Sequence, residues 1–194
     1  MIHAVLIFNT SGLARLAKFY TPLHQPTQTI IRKIYTLVSS RPSSLCNFLD
    51  APELEEYLGI KNYADEKWRV VYRNYATLYF VFVVDGAESE LGILDLIQVF
   101  VESLDRAFEN VCELDLVFHF DEVHHILSEI VQGGVVLETN VEEIDASAQY
   151  ASQLRKESFS SANPLAIGVG GGPRRQLKTP LDWLTGKLAG VGAR

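Results

Sequence analysis

The chain has 194 residues, 47% hydrophobic and 21% charged, which suits one core-bearing domain with an appendage and excludes both general disorder and two full domains. With 17 Lys and Arg against 24 Asp and Glu the net charge is −7, a poor counter-ion for phosphate backbones, so no nucleic-acid partner is expected. Two cysteines, Cys46 and Cys112, allow one bridge at most, and the chain opens on a strand-like run, which fits a reducing, cytosolic setting. Every apolar stretch is broken by charge before the roughly 18 residues a membrane span needs, so membrane contact is expected to be peripheral or made through partners.

Ile2 to Phe8 is apolar on both faces and predicts a central strand. Asn9-Thr10-Ser11-Gly12 supplies a turn, and Ala14 to Tyr20 returns as a second strand with Leu16 and Lys18 on one face and Ala17 and Phe19 on the other. Thr27 to Ser39 carries Ile30, Ile31, Ile34, Leu37 and Val38 at helical spacing. Cys46 to Asp50 is a short strand, and Ala51 to Lys67 reads as a surface loop with a short helix near Leu54 to Leu58. Trp68 to Tyr75 and Ala76 to Asp85 form a hairpin meeting near Asn74-Tyr75. The sum is an α+β chain with a five-stranded antiparallel sheet.

Glu88 to Phe108 predicts a helix with two apolar lines, Leu94-Ile97-Val101-Leu104-Phe108 and Ile93-Leu96-Phe100, one for the sheet and one for something further. Val111 to Val131 predicts one helix ended by Gly133-Gly134, and Leu137 to Glu157 a thin covering helix. Residues 1–157 therefore make the domain, and 158–194 a flexible tail rich in Ser, Pro and Gly. The tail is basic: Arg174, Arg175, Lys178, Lys187 and Arg194 stand against Asp182 alone. Leu181, Leu184, Leu188 and Val191 share a face there, but Gly186 and Gly190 weaken any helix, and a disordered extension is expected.

Catalytic chemistry is not indicated. His119, His124 and His125 stand near Asp115, Asp121 and Glu122, but the adjacent histidines point apart on a helix and no H-x-x-x-H pair forms, so no metal is expected. Cys112 lies in the Val111 to Phe118 apolar run with Glu113 and Asp115 as acidic neighbours, where a small hydrophobe is expected and an activated thiolate is not. The glycines from Gly168 to Gly172 lack a phosphate-loop pattern. No cofactor and no enzymatic activity are expected.

Three stretches carry a family resemblance: Ala14 to Tyr20 (ARLAKFY), Tyr72 to Phe80 (YRNYATLYF) and Phe108 to Phe118 (FENVCELDLVF). Their order resembles that of the small (sigma) subunits of the heterotetrameric clathrin-adaptor family, which have a longin-like (SNARE-like) fold. Ser89 to Phe100, Gly133-Gly134 and Leu137 to Asn140 resemble the sigma of the third adaptor complex in particular. The likeness covers roughly residues 1 to 155.

The resemblance implies a non-enzymatic subunit assembled with two large subunits (delta and beta type) and a medium (mu) subunit, peripheral on Golgi and endosomal membranes and serving transport to the vacuole or lysosome. It also implies recognition of cytosolic cargo tails bearing an acidic dileucine signal. The positions matching the family's dileucine pocket are Ala76, Leu78, Val101, Asn110, Val111 and Leu116, and Arg15 matches the reader of the acidic residue. Leu13 and Thr77 depart from the lysine and glycine of better-known relatives. By spacing, Ala76 and Leu78 share a strand face, and Asn110 stands where it caps the next helix or bonds a peptide. A longin-type subunit of a tethering or GTPase-regulating complex, lacking a peptide pocket, is the alternative.

Overall fold

Strand alternation fixes the two faces of the sheet. In a computed structural model that describes residues 1–42, 45, 47–54 and 68–162, β1 (Ile2–Asn9) sends Ala4, Leu6 and Phe8 to one face and Val5 and Ile7 to the other, all fully buried. It pairs antiparallel with β2 (Ala14–Phe19) and β5 (Leu78–Val84); β4 (Arg69–Tyr75) follows β5, and β3 (Phe48–Asp50) closes the far edge, giving the order β2-β1-β5-β4-β3. The five-stranded antiparallel sheet is thus as the sequence predicts.

Each face acquires its own helical layer. α1 (Thr27–Ser39) buries Ile30, Ile31, Ile34 and Val38 against Leu6, Phe8, Val70, Trp68 and Val81. Fully burying each such aliphatic side chain contributes roughly 1.5–3 kcal/mol, so this one stripe suffices to fix the helix to the sheet. The opposite face packs Val5, Ile7, Phe80 and Phe82 under α2 (Glu90–Phe108), α3 (Glu113–Phe118), α4 (Phe120–Ile130) and the start of α5 (Val141–Ala162), which adds Ile144 and Ala148. The chain divides into two units after Leu154, and the second is described only as the end of α5, to Ala162.

Several expectations are corrected. The two apolar lines of α2 merge into one broad stripe: Ile93, Leu96, Ile97, Phe100 and Leu104 are buried together, with Leu94, Val101 and Phe108 half-buried at its margins. The single helix expected over 111–131 is two, broken at His119 (φ −115°, ψ 38°), and ends at Ile130. Gly133-Gly134 does not end that helix but turns a small hairpin between β6 (Val131–Gln132) and β7 (Val135–Val136), both glycines having positive φ. The covering helix begins at Val141, four residues past Leu137. Ala51 and Leu54, read as the start of a surface loop, are buried in the α1 layer, with a 3-10 turn over Pro52–Leu54. Cys46, residues 55–67 with the short helix expected there, and the tail from 163 lie outside the described residues.

His3 shows what the core demands of a polar side chain. It is 4% exposed, its ring lies 4.1 Å from that of Trp68, and its Nδ1 is 2.8 Å from Thr21 Oγ1. Burial, helped by the cationic N-terminus and opposed by Asp85, lowers its pKa from 6.5 to about 4. The unfolded chain therefore binds this proton more readily than the fold does. Stability from the neutral ring is intact above pH 6.5 and is lost as the pH falls toward 4, at a slope of at most about 1.4 kcal/mol per pH unit. Urea unfolding at a series of pH values should show this slope below pH 6.5, and His3→Gln should flatten it.

Candidate functional site

The site is assembled where the β4–β5 hairpin, the end of α2 and the start of α3 meet. β4 and β5 pair from Tyr75↔Leu78, so Ala76 and Thr77 are the hairpin loop, and β5 begins at Leu78. Ala76 has φ +51°, the left-handed region, and is exposed. The expected shared strand face for Ala76 and Leu78 is corrected accordingly: Ala76 stands at the tip, while Leu78 is 8% exposed and belongs to the core under α2. Gln98 ties the hairpin to α2, its Oε1 accepting from Tyr75 Oη at 2.6 Å and Arg73 Nη1 at 3.3 Å. Val101, three residues on, is half-buried against the same core.

The α2–α3 connection turns through two residues of positive φ. Glu109 ends α2 at φ +49° and Asn110 follows at φ +84°, after which Val111 N donates to Asp105 Oδ1 at 3.1 Å. The expected helix cap at Asn110 belongs instead to Cys112, whose backbone N donates to Asp115 Oδ2 at 2.8 Å in a reciprocal capping box. Cys112 is accordingly exposed and free, not the buried small hydrophobe its apolar run suggests. Of the six positions matched to the pocket, Leu78, Val101, Val111 and Leu116 join one apolar cluster, and Ala76 and Asn110 are exposed at the two loops.

Arg15 reaches this region because β2 is bulged. Ile7 pairs with Leu16 and Phe8 with Ala14, leaving Arg15 as the extra residue. A bulge re-aims a side chain and bends the strand, and here it puts Arg15 on Glu113 at the start of α3. Arg15 Nε donates to Glu113 Oε1 at 2.8 Å, Nη2 lies 2.7 Å from the same oxygen, and Asn9 Nδ2 donates to it at 3.0 Å. Asn9 Oδ1 also accepts from the backbone N of Ser11 and Leu13, so one side chain orders the β1–β2 turn and anchors α3. The bond from Arg15, and then that from Asn9, holds the Glu113 carboxyl below its usual range. Neither Asn9 nor Glu113 was singled out by the sequence; the bulge and a contact across 98 positions have no local pattern.

Arg15 and Leu116 also line a groove of about 420 Å³ along the outer side of β2, with Ile31 and Gln28 of α1 on one wall and Val117, Phe120 and His124 on the other. Phe120 in its lining is 55% exposed, and Leu13, Leu114 and Phe118, which stand next to or near lining residues in the chain, are 55%, 63% and 74% exposed. Among the described residues no group of three or more His, Cys, Asp or Glu side chains is placed to hold a metal ion, and no helix is long and apolar enough to cross a membrane.

A five-stranded antiparallel sheet of this order, with one helix on one face and several on the other, is the fold of adaptor-complex small subunits. Residues 1–154 match the model of the clathrin adaptor complex small chain, and the chain belongs to that family of vesicle-traffic adaptor components. Within the family its likeness is to AP-3 sigma subunits. The "AP-3 complex subunit sigma" of Schizosaccharomyces pombe is 56% identical over 167 residues, covering 86% of this chain and 94% of that protein. The human "AP-3 complex subunit sigma-2" is 52% identical over 166 residues, 84% of this chain and 82% of the relative. A chain of a homology model of the full-length AP-3 complex in a stretched open conformation superposes with a TM-score of 0.61 at 46% identity, covering 83% of this chain and 99% of that one.

Proposed function

We propose that the chain is the sigma-type subunit of a heterotetrameric adaptor, with two large subunits (delta and beta type) and a medium (mu) subunit. In that assembly it holds acidic dileucine signals on cargo tails for transport from Golgi or endosome to vacuole or lysosome. The observation that carries this reading is the aliphatic cluster of Leu78, Val101, Val111 and Leu116, flanked by loop residues Ala76 and Asn110, with Arg15 bulged toward the same end of the sheet. The exposed apolar side chains of α3 and α4 support a larger companion chain, since burying them in an assembly removes surface that is unfavourable in water. The likeness to a chain of a whole AP-3 complex supports it too.

Energetically the arrangement suits reversible sorting. Two leucines contribute roughly 1.5–3 kcal/mol each on burial and a charge-assisted hydrogen bond roughly 1.5–3 more, before ordering costs are subtracted. Recruitment then relies on several tails binding one membrane at once.

The test compares two peptides on the assembled complex, one with an acidic residue four positions before the first leucine and one with glutamine there. Arg15→Gln keeps a donor for Glu113 but removes the cation. It should weaken the acidic peptide about tenfold and the neutral one less than twofold. Equal loss for both would remove Arg15 from acid recognition, and no binding of either peptide by the unaltered complex would overturn the peptide-binding reading.

A further inference from the structure

Arg15, the cation assigned to the signal's acidic residue, already has a carboxylate on it. Glu113 draws Nε, Nη2 and the Asn9 amide onto a single oxygen, at 2.8, 2.7 and 3.0 Å. The side chains of Arg15 and Glu113 are only 22% and 29% exposed, so the pair is partly withdrawn from water. An arginine has five N–H donors, and no described residue takes those on Nη1.

We propose that Glu113 is a specificity-determining residue of the dileucine site: an internal carboxylate that neutralises Arg15 and so limits how strongly an acidic signal is preferred over a neutral one. This rests on the peptide-binding reading above and deepens it. An incoming carboxylate has two routes, to displace Glu113 from the Nε and Nη2 edge or to share the guanidinium through Nη1. Glu113's charge opposes both, the first by competition and the second by repulsion across a few ångströms of partly desolvated space. Arg15 therefore reads the acid through directional hydrogen bonds with little net Coulomb attraction from this chain. Strong acid preference requires a further cation, one that a companion subunit can supply.

Asn9 makes the mask durable. It bonds Glu113 with its amide nitrogen while its oxygen is committed to the β1–β2 turn, so the carboxylate is held by a side chain that is itself fixed. The same turn carries exposed Leu13, and the bulge that delivers Arg15 begins one residue beyond it.

The experiment measures the affinity of the assembled complex for the acidic and neutral dileucine peptides, unaltered and with Glu113→Gln. The variant keeps acceptors for Arg15 and Asn9 but drops the charge. The acidic-to-neutral affinity ratio should rise about three- to tenfold, with the neutral peptide unchanged within twofold. Glu113→Asp, which keeps the charge, should leave the ratio within about twofold of the unaltered complex. A ratio that stays constant or falls in Glu113→Gln while both peptides still bind would overturn the proposal and leave the peptide-binding reading intact. If Glu113→Gln does not assemble, the shorter neutral Glu113→Asn takes its place: the acidic-to-neutral ratio should again rise about three- to tenfold, and a ratio within about twofold of the unaltered complex would overturn the proposal.

Discussion

Replacing Val101 with Asp is expected to abolish binding of a dileucine peptide to the assembled complex, a loss of more than about a hundredfold. Val101 lies at the margin of the α2 stripe, half-buried, between fully buried Ile97 and Leu104. Its side chain packs on the cluster that holds Leu78 and Leu116. A peptide leucine seated there would bury an Asp carboxylate with no partner, at a cost of several kcal/mol, and each 1.4 kcal/mol is tenfold in affinity. Because Val101 is only partly covered in the chain itself, the charge is tolerated in the unliganded fold, and the complex should remain assembled. Peptide affinity measured on intact complex is the check. Unchanged affinity would mean that α2 does not wall the pocket.

The second large effect is structural. Gly134→Ala is expected to cost about 3 kcal/mol or more of stability, whereas Gly133→Ala should cost about 1 kcal/mol. Both glycines have positive φ, at +83° and +60°, so both substitutions meet the left-handed penalty. They differ in surroundings. A Cβ on Gly134 would stand 2.3 Å from the carbonyl oxygen of Ile2, which is backbone and cannot swing aside, while a Cβ on Gly133 meets nothing within 4 Å. Gly134 comes this close because Ile2 N donates to its carbonyl at 2.9 Å, docking the β6–β7 hairpin on the first residue of β1. Urea unfolding of the two variants side by side separates the shared conformational penalty from the steric one. Equal losses would show that the hairpin yields without cost.

Much of the fold is legible because it is periodic. The buried positions of α1 follow its 3.6-residue spacing, and β1's two-sided burial follows from apolar residues at consecutive positions. The break at His119 was not legible: apolar residues continue on both sides of it, and the capping box that starts α3 uses Cys112, an unusual cap. The hairpin loop was missed by two residues because Ala76-Thr77 lacks the glycine or asparagine that normally marks a positive-φ turn. The merged stripe on α2 reflects a helix packed against both the sheet and α4, a circumstance outside its own sequence.

The sequence by itself determined the five-stranded sheet and the long helices, the acidic balance of the chain, the family to which it belongs and the identities of the aliphatic residues proposed for the pocket, since these depend on local pattern or on direct likeness. Only the tertiary structure decided that Arg15 is carried by a bulge onto Glu113, that Asn9 locks the two together, and that Ala76 and Asn110 sit exposed on positive-φ loops while Leu78 and Leu116 lie in the core. Register, bulges and ion pairs between residues nearly a hundred positions apart are settled by how two layers pack on one sheet, and no window of sequence contains that information.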